Sequence, residues 1–247
     1  MILETTTHVT EVKAFFEAPQ GYFKRRQFDV DIRRATVSEM TAGRQLPEVL
    51  DVGCGNGSIS IPLLASPDTG RLTLVDLSEA MLDLARASLT EEQRDRVRLM
   101  NADLMTAEVD RKFDLVICLG VLAHVDDPRA LIGRLHELLA PGGRLILEVT
   151  DSFHPVGRLL NLYHRLLGLF RPVQYGLNRL RMRTVFDDCE RAGLRRVTTY
   201  RYSLPPPGSQ RLASHATLFR LTRRLFGTSL DNRRAWLGNI AIAEFTR

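Results

Sequence analysis

The sequence predicts an α/β fold with a doubly wound, mostly parallel sheet, and three observations carry that reading. Five short apolar runs recur between residues 48 and 150, helical patterns alternate with them, and the first run ends in a glycine-rich turn that opens onto a helix. Parallel neighbours need long crossover connections, so strands alternating with helices form one sheet covered on both faces. At 247 residues, with 44% hydrophobic and 26% charged positions, the chain has the balance of an ordinary globular protein and room for one core with additions.

Taken in order, residues 1–45 read as helical and lie outside the sheet. EVLDVG (48–53) is a short buried strand, and SISIPLLA after it has a helical pattern. LTLVD (72–76) is the second strand, followed by the helix SEAMLDLARASL. VRLMNAD (97–103), FDLVICLG (113–120) and RLILEVT (144–150) supply three more strands. PRALIGRLHELLA is the helix before the last of these, with Pro141-Gly142-Gly143 as its stop and turn. Residues 153–183 read as an amphipathic basic helix, with Leu159, Leu160, Leu162, Tyr163, Leu166 and Leu167 among its apolar positions and Arg158, Asn161 and Arg165 on another side. A helical signal resumes near 184 and stops at Gly193. RRVTTYRYSL is then a strand broken by Pro205-Pro206-Pro207-Gly208, RLASHATLFRLTRRLFG a second basic segment, and NIAIAEFTR a final strand.

Charge divides the chain unevenly. Residues 1–150 hold 17 Lys+Arg against 23 Asp+Glu, a net of −6, whereas residues 151–247 hold 17 against 6, a net of +11. No acid lies between Asp151 and Asp187, or between Glu190 and Asp231. Such a half suits an anionic substrate, a membrane surface or nucleic acid. Cys54, Cys118 and Cys189 are odd in number, widely spaced and without a C-x-x-C pair, which points to buried thiols in a reducing compartment rather than a disulfide framework or zinc site. No apolar stretch is long enough to span a bilayer, and MILETTTHVTEVKAFFE lacks the basic-then-apolar order of a leader; both favour a cytoplasmic protein.

The strongest chemical signal is Asp51-Val52-Gly53-Cys54-Gly55-Asn56-Gly57, between a strand and a helix. Glycines there allow a tight turn and close backbone approach to a ligand, and N–H groups at the helix start favour a carboxylate or phosphate. The spacing is G-x-G-x-G rather than the G-x-G-x-x-G of nicotinamide and flavin sites, which lowers a dehydrogenase reading. Asp76, at the end of the second strand, stands where a carboxylate accepts from both hydroxyls of a ribose. Asp103, in Asn101-Ala102-Asp103-Leu104, could accept from the exocyclic amine of adenine. Each acid alone also reads as a solvated strand end. Together they fall at the carboxyl edge of successive strands, where open α/β sheets bind ligands.

VLDVGCGNGSISIPL, LTLVDLSEAMLDLAR, NAD, FDLVICLGVLAHVDDP and LAPGGRLILEVT, in this order, resemble the successive motifs of class I S-adenosylmethionine-dependent methyltransferases, small-molecule branch. The resemblance covers residues 48–150. It implies a Rossmann-like seven-stranded sheet with the last strand antiparallel, completed by RRVTTYRYSL and NIAIAEFTR, and S-adenosyl-L-methionine as cofactor. It implies that Asp51, Gly53, Gly55 and Gly57 line the methionine end, with Cys54 a common occupant of that loop and not a nucleophile. Asp76 would take the ribose, Leu77 and Met81 the adenine face, Asp103 and Leu104 the adenine edge, and Leu119 the sulfonium neighbourhood. The chain then divides into an N-terminal helical lid (1–45), a cofactor-binding core (46–150), a helical substrate cap inserted after strand five (151–185), and completion of the sheet with an inserted basic helix (186–247).

His124, just past the fourth strand, is the candidate general base for an attacking hydroxyl, or else packs beneath the substrate. Tyr22, Phe23 and Tyr163 are candidate lid and acceptor contacts, or core aromatics. His8, His136, His154, His164 and His215 show no metal-ligand spacing, so no metal is expected. The expected activity is methyl transfer to oxygen of a partly hydrophobic small molecule, with peripheral membrane contact as an alternative use of the arginines. A nucleic-acid methyltransferase is a second reading, weakened because Leu119-Gly120-Val121-Leu122 lacks the Asn/Asp-Pro-Pro-aromatic stretch that holds a flipped base. A noncatalytic cofactor-binding protein of the same fold is a third.

Overall fold

A computed structural model describes residues 22–166, 178–205, 209 and 213–247. Its sheet has seven strands: β1 (Leu46–Val52), β2 (Thr69–Asp76), β3 (Val97–Asn101), β4 (Phe113–Cys118), β5 (Leu139–Thr150), β6 (Arg195–Tyr202) and β7 (Ile240–Thr246). Their spatial order is β3-β2-β1-β4-β5-β7-β6; β7 runs antiparallel to both β5 and β6, and the pairs among β1 to β5 are parallel. The expected seven-stranded α/β sheet with its last strand antiparallel is therefore present. The strand order reverses at β1, which lies between β2 and β4 and so opens a crevice at the carboxyl edge.

Period-two alternation sorts the side chains onto two faces. Val49, Leu115, Ile117, Ile146 and Ile242 belong to one hydrophobic cluster, and Leu50, Val52, Val116, Leu145 and Leu147 to the other. Helices α1 (Tyr22–Thr41), α2 (Glu79–Ser88) and α7 (His215–Phe226) contribute Phe28, Leu82 and Leu218 to the first. Helices α4 (Pro128–Leu138) and α6 (Met182–Arg191) contribute Leu135 and Phe186 to the second. A one-turn helix α3 (Glu91–Arg94) precedes β3, and α5 (Pro155–Leu166) follows β5.

Two local expectations change. SISIPLLA forms only a short 3₁₀ helix, Ile61–Ala65, because Pro62 withholds a backbone donor and Ser60 is turned inward onto a buried carboxylate. Pro141-Gly142-Gly143 does not end in a turn. α4 stops at Leu138, β5 starts at Leu139, and the register slips from Phe113↔Leu139 to Leu115↔Arg144, so these residues are a bulge within β5.

The α1 face of the sheet buries two carboxylates, Glu148 on β5 and Glu244 on β7, both 4% exposed or less. Arg33 on α1 forks onto Glu148, Nε and Nη2 donating at 2.6 and 2.5 Å. Burial opposes the charge of Arg33, but Glu148 outweighs it and holds the guanidinium ionised. Glu244 accepts from Arg44 Nη1 at 2.5 Å and from Arg144 Nη1 at 2.7 Å. At the other end of α1, Glu39 pairs with Arg223 on α7 and accepts from the N–H and hydroxyl of Ser229 at 2.8 and 2.9 Å. Helix α1 is thus pinned by ion pairs around its apolar contacts at Phe28, Ile32, Val37 and Met40.

A third buried carboxyl, Asp51 on β1, is 3% exposed and accepts from Ser60 Oγ at 2.6 Å. Burial pushes it up to about 7, with Asp76 adding to the rise and Ser60 working against it.

Removing Arg33 strands the Glu148 charge, so Arg33→Ala should cost about 3–5 kcal/mol in urea unfolding. Arg44→Ala leaves Arg144 on Glu244 and should cost about 1 kcal/mol or less; equal losses would contradict this division. A carboxyl raised in the folded state stabilises below its unfolded value, and that contribution disappears as pH rises through about 7. Between pH 5 and 8, Asp51→Asn should therefore lose less stability than wild type, by roughly 2 kcal/mol. Parallel pH profiles would show that Asp51 titrates normally.

Candidate functional site

Val52 and Val75 are paired at the ends of β1 and β2, so the chain leaving β1 turns across the carboxyl end of β2. The N–H groups of Gly53 and Cys54 both donate to Val75 O, at 2.8 and 3.2 Å. Gly55 N–H then donates to Asp76 Oδ2 at 2.8 Å, and Ser78 N–H to Asp76 Oδ1 at 2.9 Å. One carboxylate therefore ties the glycine loop to the start of α2. The loop closes on itself through Gly57 N–H to Cys54 O at 3.0 Å.

Gly53 and Gly55 both hold positive φ, +66° and +54°, where a side chain is strained. They differ in what a Cβ would meet. At Gly53 it would fall 2.5 Å from Val121 Cγ2, so the glycine admits the chain leaving β4. At Gly55 it would meet no protein atom within 4 Å, so the backbone there is presented outward. Cys54 is 8% exposed and its thiol is raised well above its ordinary value, chiefly by burial and then by Asp51 and Asp76. It stays a thiol, which suits packing and not attack.

At β3, Asn101 is paired with Asp76, and its Nδ2 donates to the carbonyls of Asp76 and Leu77 at 3.1 and 2.9 Å. This fixes the half-buried Leu77 beside the loop. Met81 in the first turn of α2 is 2% exposed, its N–H donating to Ser78 Oγ at 3.2 Å. Asp103 is half-buried and accepts from Met105 N–H at 2.9 Å through Oδ1, while Leu104 beside it is 4% exposed. Asp51 lies beneath the loop, engaged with Ser60.

Leu119, 7% exposed, and Gly120 follow β4, and a 3₁₀ turn, Leu122–His124, places the half-buried His124 just beyond. His124 N–H donates to Val121 O at 2.8 Å. The chain returning from the segment after β5 clamps this turn. Asn178 N–H donates to Ala123 O at 3.0 Å, and its Nδ2 to Leu122 O at 3.4 Å and to Val125 O. Neither Asn178 nor Arg33, whose Nη2 lies 3.0 Å from the position of a Gly120 Cβ, stood out in the sequence. The side chains of Tyr22, Phe23 and Tyr163 lie outside the described residues. Among the described residues, no three His, Cys, Asp or Glu side chains converge as a metal site.

The site therefore gathers an outward-facing backbone, an oriented carboxylate and a buried apolar floor at the carboxyl edge of β1 to β4. Residues 50–145 match the methyltransferase domain family. The ubiquinone biosynthesis O-methyltransferase of Pseudomonas aeruginosa (strain UCBPP-PA14) is 34% identical over 124 residues, which cover 50% of this chain and 53% of that protein. The chain thus spans about half the length of the curated relatives it matches. A SAM-dependent methyltransferase from Thermotoga maritima superposes with a TM-score of 0.67 at 16% identity, covering 97% of this chain and 99% of that one. Magnesium protoporphyrin IX methyltransferase from Synechocystis PCC 6803, with bound SAH, gives 0.60 at 20% identity and the same coverage. Residues 50–145 thus match a methyltransferase domain, and the seven-stranded sheet has the fold of the S-adenosylmethionine-dependent methyltransferases to which the chain is similar.

Proposed function

We propose that the chain transfers the methyl group of S-adenosylmethionine to an oxygen of a partly hydrophobic small-molecule acceptor. The observation that carries this reading is the glycine loop held to Asp76 through Gly55 N–H at 2.8 Å, with nothing of the protein within 4 Å of a Cβ at Gly55. That cradle fits the cofactor. Gly55 gives close backbone approach for its methionine end, while Gly53 and Gly57 shape the loop by admitting Val121 and Ile61 against it. A carboxylate has about four acceptor positions, and the backbone bonds from Gly55 and Ser78 aim Asp76 so that it also takes ribose hydroxyls. Leu77 and Met81 form the adenine face, Asp103 and Leu104 its edge, and Leu119 the wall near sulfur. When bound, the cofactor supplies an electrophilic methyl carbon on a positively charged sulfur.

Alignment of an acceptor oxygen with that carbon removes on the order of 7–11 kcal/mol of barrier without any base. His124, in the turn that Asn178 holds, is assigned the role of taking the hydroxyl proton, an effect worth roughly 10²- to 10⁴-fold. Residues 1–45 are assigned as lid and 151–185 as cap, of which 1–21 and 167–177 lie outside the described residues, with Tyr22, Phe23 and Tyr163 as acceptor contacts. Transfer to oxygen is supported by the name of the Pseudomonas aeruginosa relative, an O-methyltransferase. Three buried free cysteines suit the cytoplasm, and no helix among the described residues is long and apolar enough to cross a membrane.

The test is methyl transfer from isotopically labelled S-adenosylmethionine to a panel of phenols and catechols, read by mass spectrometry. His124→Ala should lower turnover at least ~100-fold with cofactor affinity nearly unchanged, and less so at high pH, where a phenol ionises by itself. A loss of only a few-fold would make His124 a packing residue. Label on no oxygen of any acceptor, with the cofactor bound, would count against O-methylation.

A further inference from the structure

Trp236 is the chain's only tryptophan, and it is 71% exposed. It is not carried on a loose tail. The turn Ala235–Leu237 is entered through Arg234 in the left-handed region (φ 46°), a conformation that a non-glycine residue adopts at a cost. Around it, Leu237 N–H donates to Arg234 O at 2.9 Å, Ser203 Oγ to Leu237 O at 2.8 Å, and His154 Nε2 lies 3.0 Å from Trp236 O. The backbone is fixed on all sides, and the indole is held out of the protein.

The same edge carries Leu159 and Leu162, 68% and 53% exposed, three residues apart on α5 and so on one face. The first turn of α5 meets the Trp236 turn directly, through His154 and through Gly157 packed against Asn239. Four exposed arginines lie nearby: Arg158 adjoins Leu159 and Arg234 stands two residues before Trp236 in the chain, and Arg179 and Arg181 have their guanidinium carbons 5.1 and 4.2 Å from the ring centroid of Phe153, just before α5. No acid lies between residues 152 and 186, the stretch that carries three of these four arginines.

We propose that this edge is a peripheral docking surface for an anionic lipid bilayer, with Trp236, Leu159 and Leu162 entering the headgroup boundary and the arginines facing the lipid charge. An indole with one polar and one apolar side suits that boundary, and leucines interleaved with arginines suit an amphipathic helix lying in it. Charge complementarity selects the occupant. A second copy of the chain would set the same arginines against each other, whereas anionic headgroups neutralise them. Asn239 O accepts from Asp151 N–H at 2.7 Å, which places the patch at the carboxyl end of β5, the edge onto which the glycine loop and the His124 turn also open. Leu159, Leu162 and three of the arginines belong to the segment proposed as the acceptor cap, and the inference concerns its exposed face, so it can hold or fail whether or not the methyl-transfer reading does.

The full chain is mixed with phosphatidylcholine vesicles with and without phosphatidylglycerol, and binding is read by co-sedimentation and tryptophan emission. The expected result is binding to the anionic vesicles with a blue shift, reversed near 1 M salt, where the screening length falls to about 3 Å. Trp236→Ser, and separately Leu159→Ser with Leu162→Ser, should weaken binding at least ~10-fold. Unchanged far-ultraviolet dichroism and unchanged calorimetric affinity for S-adenosylmethionine would show that the variants fold and that the cofactor site is untouched. Absence of co-sedimentation at low salt overturns the proposal. So does binding without a blue shift, which would move the contact to other arginines. Self-association abolished by Trp236→Ser would assign the patch to a second copy instead.

Discussion

The carboxylate of Asp76 is the point on which the site depends. It accepts from Gly55 N–H at 2.8 Å and from Ser78 N–H at 2.9 Å, and so joins the loop after β1 to the helix after β2. Asn101 adds a third element by binding the carbonyls of Asp76 and Leu77. The loop after β4 joins through Val121, which fills the space that a side chain at Gly53 would need. Four strand ends are therefore brought to one place by backbone donors and one oriented acid, and the crevice where the strand order reverses becomes a shaped surface.

A second constraint lies on the α1 face. Two carboxylates in the middle of β5 and β7 would be costly if left alone there, and arginines from α1, the connection after it and β5 answer them. Helix α1 has a narrow apolar stripe, so these pairs fix where it sits. The Arg33 pair also brings α1 close to Gly120, beside the end of β4. The helix proposed as a lid is thus anchored at its middle and far end by charge, while Tyr22 and Phe23, proposed as acceptor contacts, stand at its beginning in the sequence.

Much of this was legible in the sequence because local patterns encode it. EVLDVG, LTLVD and FDLVICLG are apolar runs ended by Gly or Asp, and each became a strand ending at the site. What failed was non-local. Glu148 and Arg33 are 115 positions apart, and no periodicity links them. The available hint was an acid set inside the apolar run RLILEVT, which requires a cation from elsewhere. Asn178 offered no hint, since an asparagine in a connection reads as a turn residue until its partners are known. SISIPLLA read as an α-helix because its apolar spacing is right, but Pro62 and the inward Ser60 shortened it. The arginines of the second half read as charge on two acid-free basic segments, whereas Arg223 is bound to Glu39 and lies over Tyr200, and Arg179 and Arg181 lie over Phe153.

The most direct measurement is calorimetric titration of S-adenosylmethionine into the wild-type chain and into Asp76→Ala, with unfolding followed in parallel. The account predicts saturable one-to-one binding to wild type. For the variant it predicts a loss of at least ~100-fold, since two charge-assisted hydrogen bonds to the ribose are each worth roughly 1.5–3 kcal/mol, and the folded state should persist. Wild-type affinity in a folded Asp76→Ala variant, or no heat of binding to wild type at millimolar ligand, would contradict it.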